Sequence, residues 1–130
     1  MPRILLSAVS IFFFSFLPTH AVAKATCEDF LRLEATINRE LPRSIDQATE
    51  LVQVLVNCEL ESMTYVKRLL LNEAKLAEGW QPRKLRQHNQ LNCNKRGLAR
   101  VEGWTARDLV YSEDQVRLLA EFITTPTDCN

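Results

Sequence analysis

The sequence predicts an α+β fold in which two helices pack on an antiparallel sheet of about four strands, in the order α-β-β-α-β-β. Three observations support this class. One segment repeats apolar residues at helical spacing, a second lies between a proline that can start a helix and a glycine that can stop it, and each precedes a pair of strand-like runs. The chain has 130 residues, 46% of them hydrophobic, which is enough for a small core. It also has four cysteines that can hold such a small core together.

The first 23 residues have the features of a signal peptide. Arg3 is basic, Ile4–Leu17 is apolar, and small residues at 21 and 23 suit cleavage after Ala23, with Ala25 as a second site. We therefore expect one mature α+β domain, residues 24–130, exported to the periplasm or secreted. No later segment approaches the roughly 20 apolar residues that span a bilayer, so we expect no transmembrane segment after cleavage.

All four cysteines lie in the expected mature chain, and an even number in an exported protein indicates disulfides. Three pairings are possible. None of the spacings is C-x-x-C, so the pattern favours neither a zinc knuckle nor a thioredoxin-like motif. We favour Cys27 with Cys58 and Cys93 with Cys129, because each bridge joins the start of one half of the chain to its end. Each would contribute about 3–4 kcal/mol in the chain-entropy model.

The first helix is predicted from Thr26, which can cap its start, through a helical repeat of apolar residues to Leu41. Pro42 ends it. The region 45–71 has two interpretations. Alternating β-branched residues favour two strands, at about 49–58 and 62–71. A helix from Ser44 is the alternative, since the turn between these strands lacks Gly or Asn.

The second helix is predicted from Pro82 to about Arg96, after a polar connector with a possible helical turn at 72–78. Gly97 stops it. The side chains expected to be buried from this helix are Leu85, His88 or Asn89, and Asn92 or Cys93.

The end of the chain has two further strand-like runs. They extend from Trp104 to Tyr111 and from Val116 to Thr124, and a turn-rich tetrad joins them. Pro126 ends the second run just before the last cysteine.

The tail also carries a family resemblance. The run from Trp104 to Asp108 and onward to Cys129, together with Leu41-Pro42 and Tyr65, resembles the quorum-sensing-regulated virulence factor family. Its members are small secreted bacterial α/β proteins of unknown molecular function. The resemblance covers most of the mature chain and implies an exported α+β protein associated with virulence. It implies no catalytic residue.

The residues offer little for catalysis. His20 leaves with the leader, so His88 is the one histidine of the mature chain. A Ser-His-Asp site would need a carboxylate and a serine beside it, whereas its neighbours in sequence are Arg86, Gln87 and Asn89. We interpret His88 as structural, and we predict no catalytic, metal or cofactor site.

The charge is unevenly distributed. Sixteen basic and sixteen acidic residues cancel over the whole chain, so we expect no nucleic-acid binding. Residues 79–101, however, contain no acid and six basic residues: Arg83, Lys84, Arg86, Lys95, Arg96 and Arg100. Such a run is either a solvated helix face or a binding surface for an anionic partner.

A repeated Glu-Gly-Trp flanks this basic segment, ending at Trp80 and at Trp104. One interpretation is a tight glycine junction followed by an aromatic anchor in the core. The other is an aromatic and cationic surface. The candidate partner surface comprises Trp80, Arg83, Lys84, Arg86, Arg96, Arg100, Trp104 and Arg107.

Together these features predict a small exported, non-enzymatic interaction protein. We expect it to be a monomer and to bind an unknown protein or an anionic envelope component. The alternative is a small envelope-acting hydrolase. A pocket that joins His88 to a carboxylate and a serine would favour the hydrolase.

Overall fold

The computed structural model describes residues 24–130, and the expected leader lies outside them. Along this range the chain forms helices α1 and α2, strands β1 to β5 and three short helical turns. In chain order they are α1 Cys27–Asn38, β1 Arg43–Ser44, β2 Thr49–Asn57, β3 Ser62–Leu69, a 3₁₀ turn Glu73–Lys75, α2 Trp80–Cys93, a π-helical turn Leu98–Glu102, β4 Thr105–Tyr111, β5 Leu118–Thr124 and a 3₁₀ turn Pro126–Cys129.

The α+β class is confirmed, but the expected sheet of four antiparallel strands is wrong in two details. The sheet has five strands in the order β1-β2-β3-β4-β5. Strands β3 and β4 are parallel, while all other neighbours are antiparallel. The parallel pair follows from the connection, because α2 lies between β3 and β4 and brings the chain back to the end where β3 began. The extra strand β1 is only two residues long.

The strand interpretation of 45–71 is confirmed. Strands β2 and β3 form a hairpin in which Val54 lies opposite Tyr65. The turn needs no glycine, because Glu61 adopts the left-handed conformation with φ 46°. Asn57 Oδ1 also accepts a hydrogen bond of 3.0 Å from the Leu60 amide, which stabilises the turn.

The start of α1 is as expected. Thr26 Oγ1 accepts a hydrogen bond from the Asp29 amide, and the Asp29 carboxylate accepts one from the Thr26 amide. This is a capping box, which satisfies two backbone donors at the helix start. The helix ends at Asn38, earlier than the Leu41 that its apolar spacing predicted.

The bounds of α2 differ from the prediction. It begins at Trp80, because Gly79 is left-handed (φ 71°) and turns the chain into the helix. Pro82 occupies the first turn, where its missing N–H costs nothing. The helix ends at Cys93 and not at Arg96, because Asn94 is extended. Of the α2 side chains that were predicted to be buried, His88 is buried, but Leu85 is 39% exposed.

Two apolar clusters form the core. Phe30, Leu51, Val54, Met63 and Trp104 pack where α1 covers β2. The second cluster lies where α2 covers β5, and its buried members are Leu69, Val110, Ala120 and Phe122. Both helices therefore pack on the same face of the sheet, α1 over β2 and α2 over β5.

Both predicted disulfides are present. The Cα atoms of Cys27 and Cys58 are 5.8 Å apart, and those of Cys93 and Cys129 are 5.0 Å apart. The first bridge joins the start of α1 to the β2–β3 turn, and the second joins the end of α2 to the last helical turn. Two bonded pairs are compatible with an oxidising, exported environment.

Gly97 provides a test of the packing after α2. A Cβ atom placed there would overlap the backbone of Asn92, whereas one placed at Gly79 would meet open space. We predict that Gly97→Ala lowers the free energy of unfolding by clearly more than Gly79→Ala, whose cost is the left-handed backbone alone, about 1–2 kcal/mol. Urea titration of both variants measures the difference. Equal losses would contradict this packing.

Candidate functional site

A cleft of about 660 Å³ opens between α2 and the segment 45–49. Its floor is the helix-covered face of β3, β4 and β5. Its volume lies within the usual range for a small-molecule site. The lining residues are Ile45, Asp46, Gln47, Ala48, Thr49, Lys67, Leu69, Leu76, Trp80, Lys84, Gln87, His88, Leu91, Asp108, Val110 and Phe122.

The cleft follows from how the helices are placed. Helix α1 lies on β2 and α2 lies on β5. Between these two contacts, Leu69 on β3 and Val110 on β4 line the cleft. The cleft is therefore the gap between two helix-on-sheet contacts.

An ion pair lies on the cleft floor. Lys67 Nζ on β3 is 2.5 Å from Asp108 Oδ2 on β4, and the two side chains are 23% and 12% exposed. Both residues take inward positions of their strands, where Tyr65 pairs with Asp108 and Lys67 with Val110. Because neighbouring parallel strands place partner residues on the same face, the amine and the carboxylate meet inside the molecule.

His88 reaches the same carboxylate from α2. Its ring is 6% exposed. Nδ1 lies 2.6 Å from Thr124 Oγ1, and the Thr124 hydroxyl donates to Asn89 Oδ1 at 2.6 Å. The other ring nitrogen, Nε2, is 3.4 Å from Asp108 Oδ1. It makes no hydrogen bond to any residue in the part of the chain described.

The charged groups on the cleft floor influence one another's pKa values. Burial would raise the pKa of the Asp108 carboxyl, but the His88 ring that faces it and the Lys67 ammonium outweigh burial and hold that pKa below its ordinary value. Burial raises the pKa of the nearby Tyr65 phenol, and the negative charge of Asp108 raises it further. Asp108 is thus held ionised inside a largely apolar setting.

Four of the predicted surface residues come together on α2. Trp80 and Lys84 line the cleft. Arg83 and Arg86 are exposed one turn apart on the outer side of the helix. Within residues 24–130, none of the three basic side chains forms an ion pair.

The other predicted surface residues lie elsewhere. Trp104 is 5% exposed and packs against Phe30 with ring centroids 4.3 Å apart, so it is a core anchor. Arg100 donates to the backbone carbonyls of Cys93 and Cys129, which ties the last turn to the end of α2. Two more residues complete this set: Arg96 is exposed after α2, and Arg107 pairs with Glu121 at 2.8 Å.

The two tryptophans of the repeated Glu-Gly-Trp therefore differ. Both preceding glycines are left-handed, Gly79 with φ 71° and Gly103 with φ 68°, as the junction interpretation predicted. Trp104 is the expected core anchor. Trp80 is only partly buried: it meets Phe122 edge-on at 6.1 Å and also forms part of the cleft wall.

Reasoning from sequence missed Lys67 and Asp108. The signal was a charged residue at an inward position of a strand: Asp108 lies between the inward Ala106 and Val110, and Lys67 between the inward Tyr65 and Leu69. Such a charge needs a buried partner. The partners could be named only once the pairing of β3 with β4 was known.

The arrangement meets half of the hydrolase criterion. The cleft joins His88 to a carboxylate, but no serine is among its lining residues. The hydroxyl that His88 contacts belongs to Thr124, which is fully buried. A nucleophile must reach its substrate, so this hydroxyl is poorly placed for attack.

Comparison with known proteins assigns no role to any residue of this chain. No family model, no curated protein and no solved structure matches this chain. The resemblance to the quorum-sensing-regulated virulence factor family therefore stays a prediction. Among residues 24–130, no helix is long and apolar enough to cross a membrane.

A substitution at Thr124 tests the hydrogen bonds that its hydroxyl makes with His88 and Asn89. Thr124→Val keeps the shape of the side chain but leaves polar atoms of His88 and Asn89 unpaired, so we predict a loss of about 1–3 kcal/mol in the free energy of unfolding. Thr64→Val is the matched control, because Thr64 is also buried and its hydroxyl makes no hydrogen bond within the described residues. Chemical denaturation of both gives the comparison, and equal effects would contradict the network.

The lowered pKa of Asp108 implies that the free energy of unfolding decreases at acidic pH. Its folded pKa is below its unfolded value of about 3.9, so its contribution is complete above that value and is lost as the pH falls through the folded pKa. We predict that Asp108→Asn flattens the decline in unfolding free energy below about pH 4. Denaturation across pH 2–6 for both proteins measures it. An unchanged slope in Asp108→Asn would show that this carboxyl is not responsible.

Proposed function

We propose that this protein is an exported, non-enzymatic interaction protein whose α2 surface binds an anionic component of the cell envelope. The observation that supports this proposal is the free cationic side of α2. Arg83, Lys84 and Arg86 lie on an acid-free helix and make no ion pair among residues 24–130. Cations that are not neutralised by their own protein attract negative surfaces.

The geometry of α2 supports the same surface. At 3.6 residues per turn, Arg83 lies between Lys84 and Arg86 around the helix. The three charges therefore form one arc that runs from the outer surface to the mouth of the cleft. Trp80 lies beside that arc on the cleft wall, where an aromatic ring can contact the apolar part of an amphipathic partner.

Export is part of the proposal. The leader features of residues 1–23 predict it, and the two disulfides support it because such bonds persist in oxidising compartments. The association with virulence follows from the family resemblance alone. The structure supports the binding interpretation over an envelope hydrolase chiefly because no serine lines the cleft beside His88.

Charge reversal tests this surface. The oxidised chain 24–130 should co-sediment with vesicles that contain phosphatidylglycerol but not with phosphatidylcholine vesicles, and raised salt should weaken binding. Reversing Arg83, Lys84 and Arg86 to Glu should abolish it, because the arc becomes negative.

A matched control reverses three exposed basic residues near or on α1, namely Lys24, Arg32 and Arg39. This changes the net charge equally but leaves α2 intact, so binding should largely persist. If both triple variants lose binding equally, net charge and not the α2 surface is responsible. If neither loses it, or if the original chain does not bind, the proposal fails.

A further inference from the structure

The cleft beside α2 has an apolar end and a polar end. Leu69, Leu76 and Trp80 line one end, while His88 and Asp108 lie at the other. Trp80 and His88 are eight residues apart on the helix, or about 12 Å at 1.5 Å per residue. A ligand that fills the cleft therefore needs an apolar part and, at one end, a polar group.

The apolar end is built from aromatic and aliphatic side chains. Trp80 meets Phe122 edge-on, with ring centroids 6.1 Å apart at 82°. Leu76 and Leu69 lie beside them. Apolar surface of this kind favours an acyl chain or a ring by removing it from water.

The polar end contains a buried nitrogen without a partner. On one side of the ring, Nδ1 lies 2.6 Å from the Thr124 hydroxyl. The other ring nitrogen, Nε2, lies 3.4 Å from Asp108 Oδ1. It has no hydrogen-bond partner within residues 24–130, although the side chain is only 6% exposed.

The surroundings of Nε2 define the missing partner. Asp108 Oδ1, which lies 3.4 Å from Nε2, accepts hydrogen bonds. A ligand group that donates can satisfy this oxygen. The Lys67 ammonium has three N–H donors and uses one on Asp108, so it can also donate to a ligand oxygen.

These demands disfavour charged head groups. A carboxylate has no hydrogen to donate and would be repelled by Asp108, and a quaternary ammonium can neither donate nor accept. A primary ammonium could donate to Asp108, but it would be repelled by the Lys67 ammonium and could not accept from it. An uncharged amide or hydroxyl does both. The polar end thus selects for a neutral group that donates and accepts at once.

We propose that the cleft binds a small uncharged amphipathic molecule, with its acyl chain or ring at Trp80 and its amide or hydroxyl group between His88, Asp108 and Lys67. This site goes beyond the proposed anionic partner: the two share Trp80 on the cleft wall, but the polar end of the cleft uses His88, Asp108 and Lys67. The outer residues Arg83 and Arg86 have no part in it, so either proposal can fail without the other.

Two-dimensional NMR of the oxidised chain 24–130 tests the site, because its two indole N–H signals report from different places. Trp80 lies on the cleft wall and Trp104 lies in the other cluster. Titration with octanamide should shift the Trp80 signal and leave the Trp104 signal in place. Octanoate and octyltrimethylammonium, which share the same chain, should bind roughly tenfold more weakly or worse.

Asp108→Asn should change this preference. Without the negative charge, Lys67 is free to bind a carboxylate, so octanoate should gain affinity relative to octanamide. Asp114→Asn is the matched control: Asp114 lies in the exposed turn between β4 and β5 and touches no cleft residue, and it should keep the original order.

The proposal is overturned if octanamide does not shift Trp80 ahead of Trp104, or if octanoate binds the original chain as tightly as octanamide. Should Asp108→Asn fail to fold, the three ligands on the unmodified chain decide the question by themselves.

Discussion

The buried carboxylate of Asp108 is the constraint on which the centre of this structure depends. It lies on an inward position of β4 and must be paired, because an isolated buried charge is costly. Lys67 supplies a charge from β3, and the polar edge of His88 faces the carboxylate from α2. The pairing of β3 with β4, the position of α2 and the chemistry of the cleft therefore meet at one group.

This polar group also separates the two halves of the core. The α1 cluster contains Phe30 and Trp104, and the α2 cluster contains Val110 and Phe122. Lys67 and Asp108 lie between the regions that the two helices cover. The cleft opens over this pair, and both side chains line it. The disulfides at the ends of both helices hold this arrangement in place.

Local signals in the sequence were sufficient for much of the fold. Thr26 marked the start of α1, and the alternating residues around Val54 and Tyr65 marked a hairpin. Both disulfides were predicted from the positions of the cysteines, because each bridge joins the start of one half of the chain to its end. The parallel pairing of β3 with β4 could not be predicted in this way, because it depends on where α2 returns the chain. The site was missed for the same reason: Lys67, His88 and Asp108 are distant in sequence, and only the sheet and the crossover bring them together.

The most direct test of this account is a double-mutant cycle between Lys67 and Asp108, with Lys67→Met and Asp108→Asn measured singly and together by urea denaturation. Exposed ion pairs give coupling energies near 0–1 kcal/mol. The account predicts a stabilising coupling clearly above about 1 kcal/mol, because both side chains are largely buried and in contact. A coupling near zero would contradict the claim that this pair organises the centre of the protein.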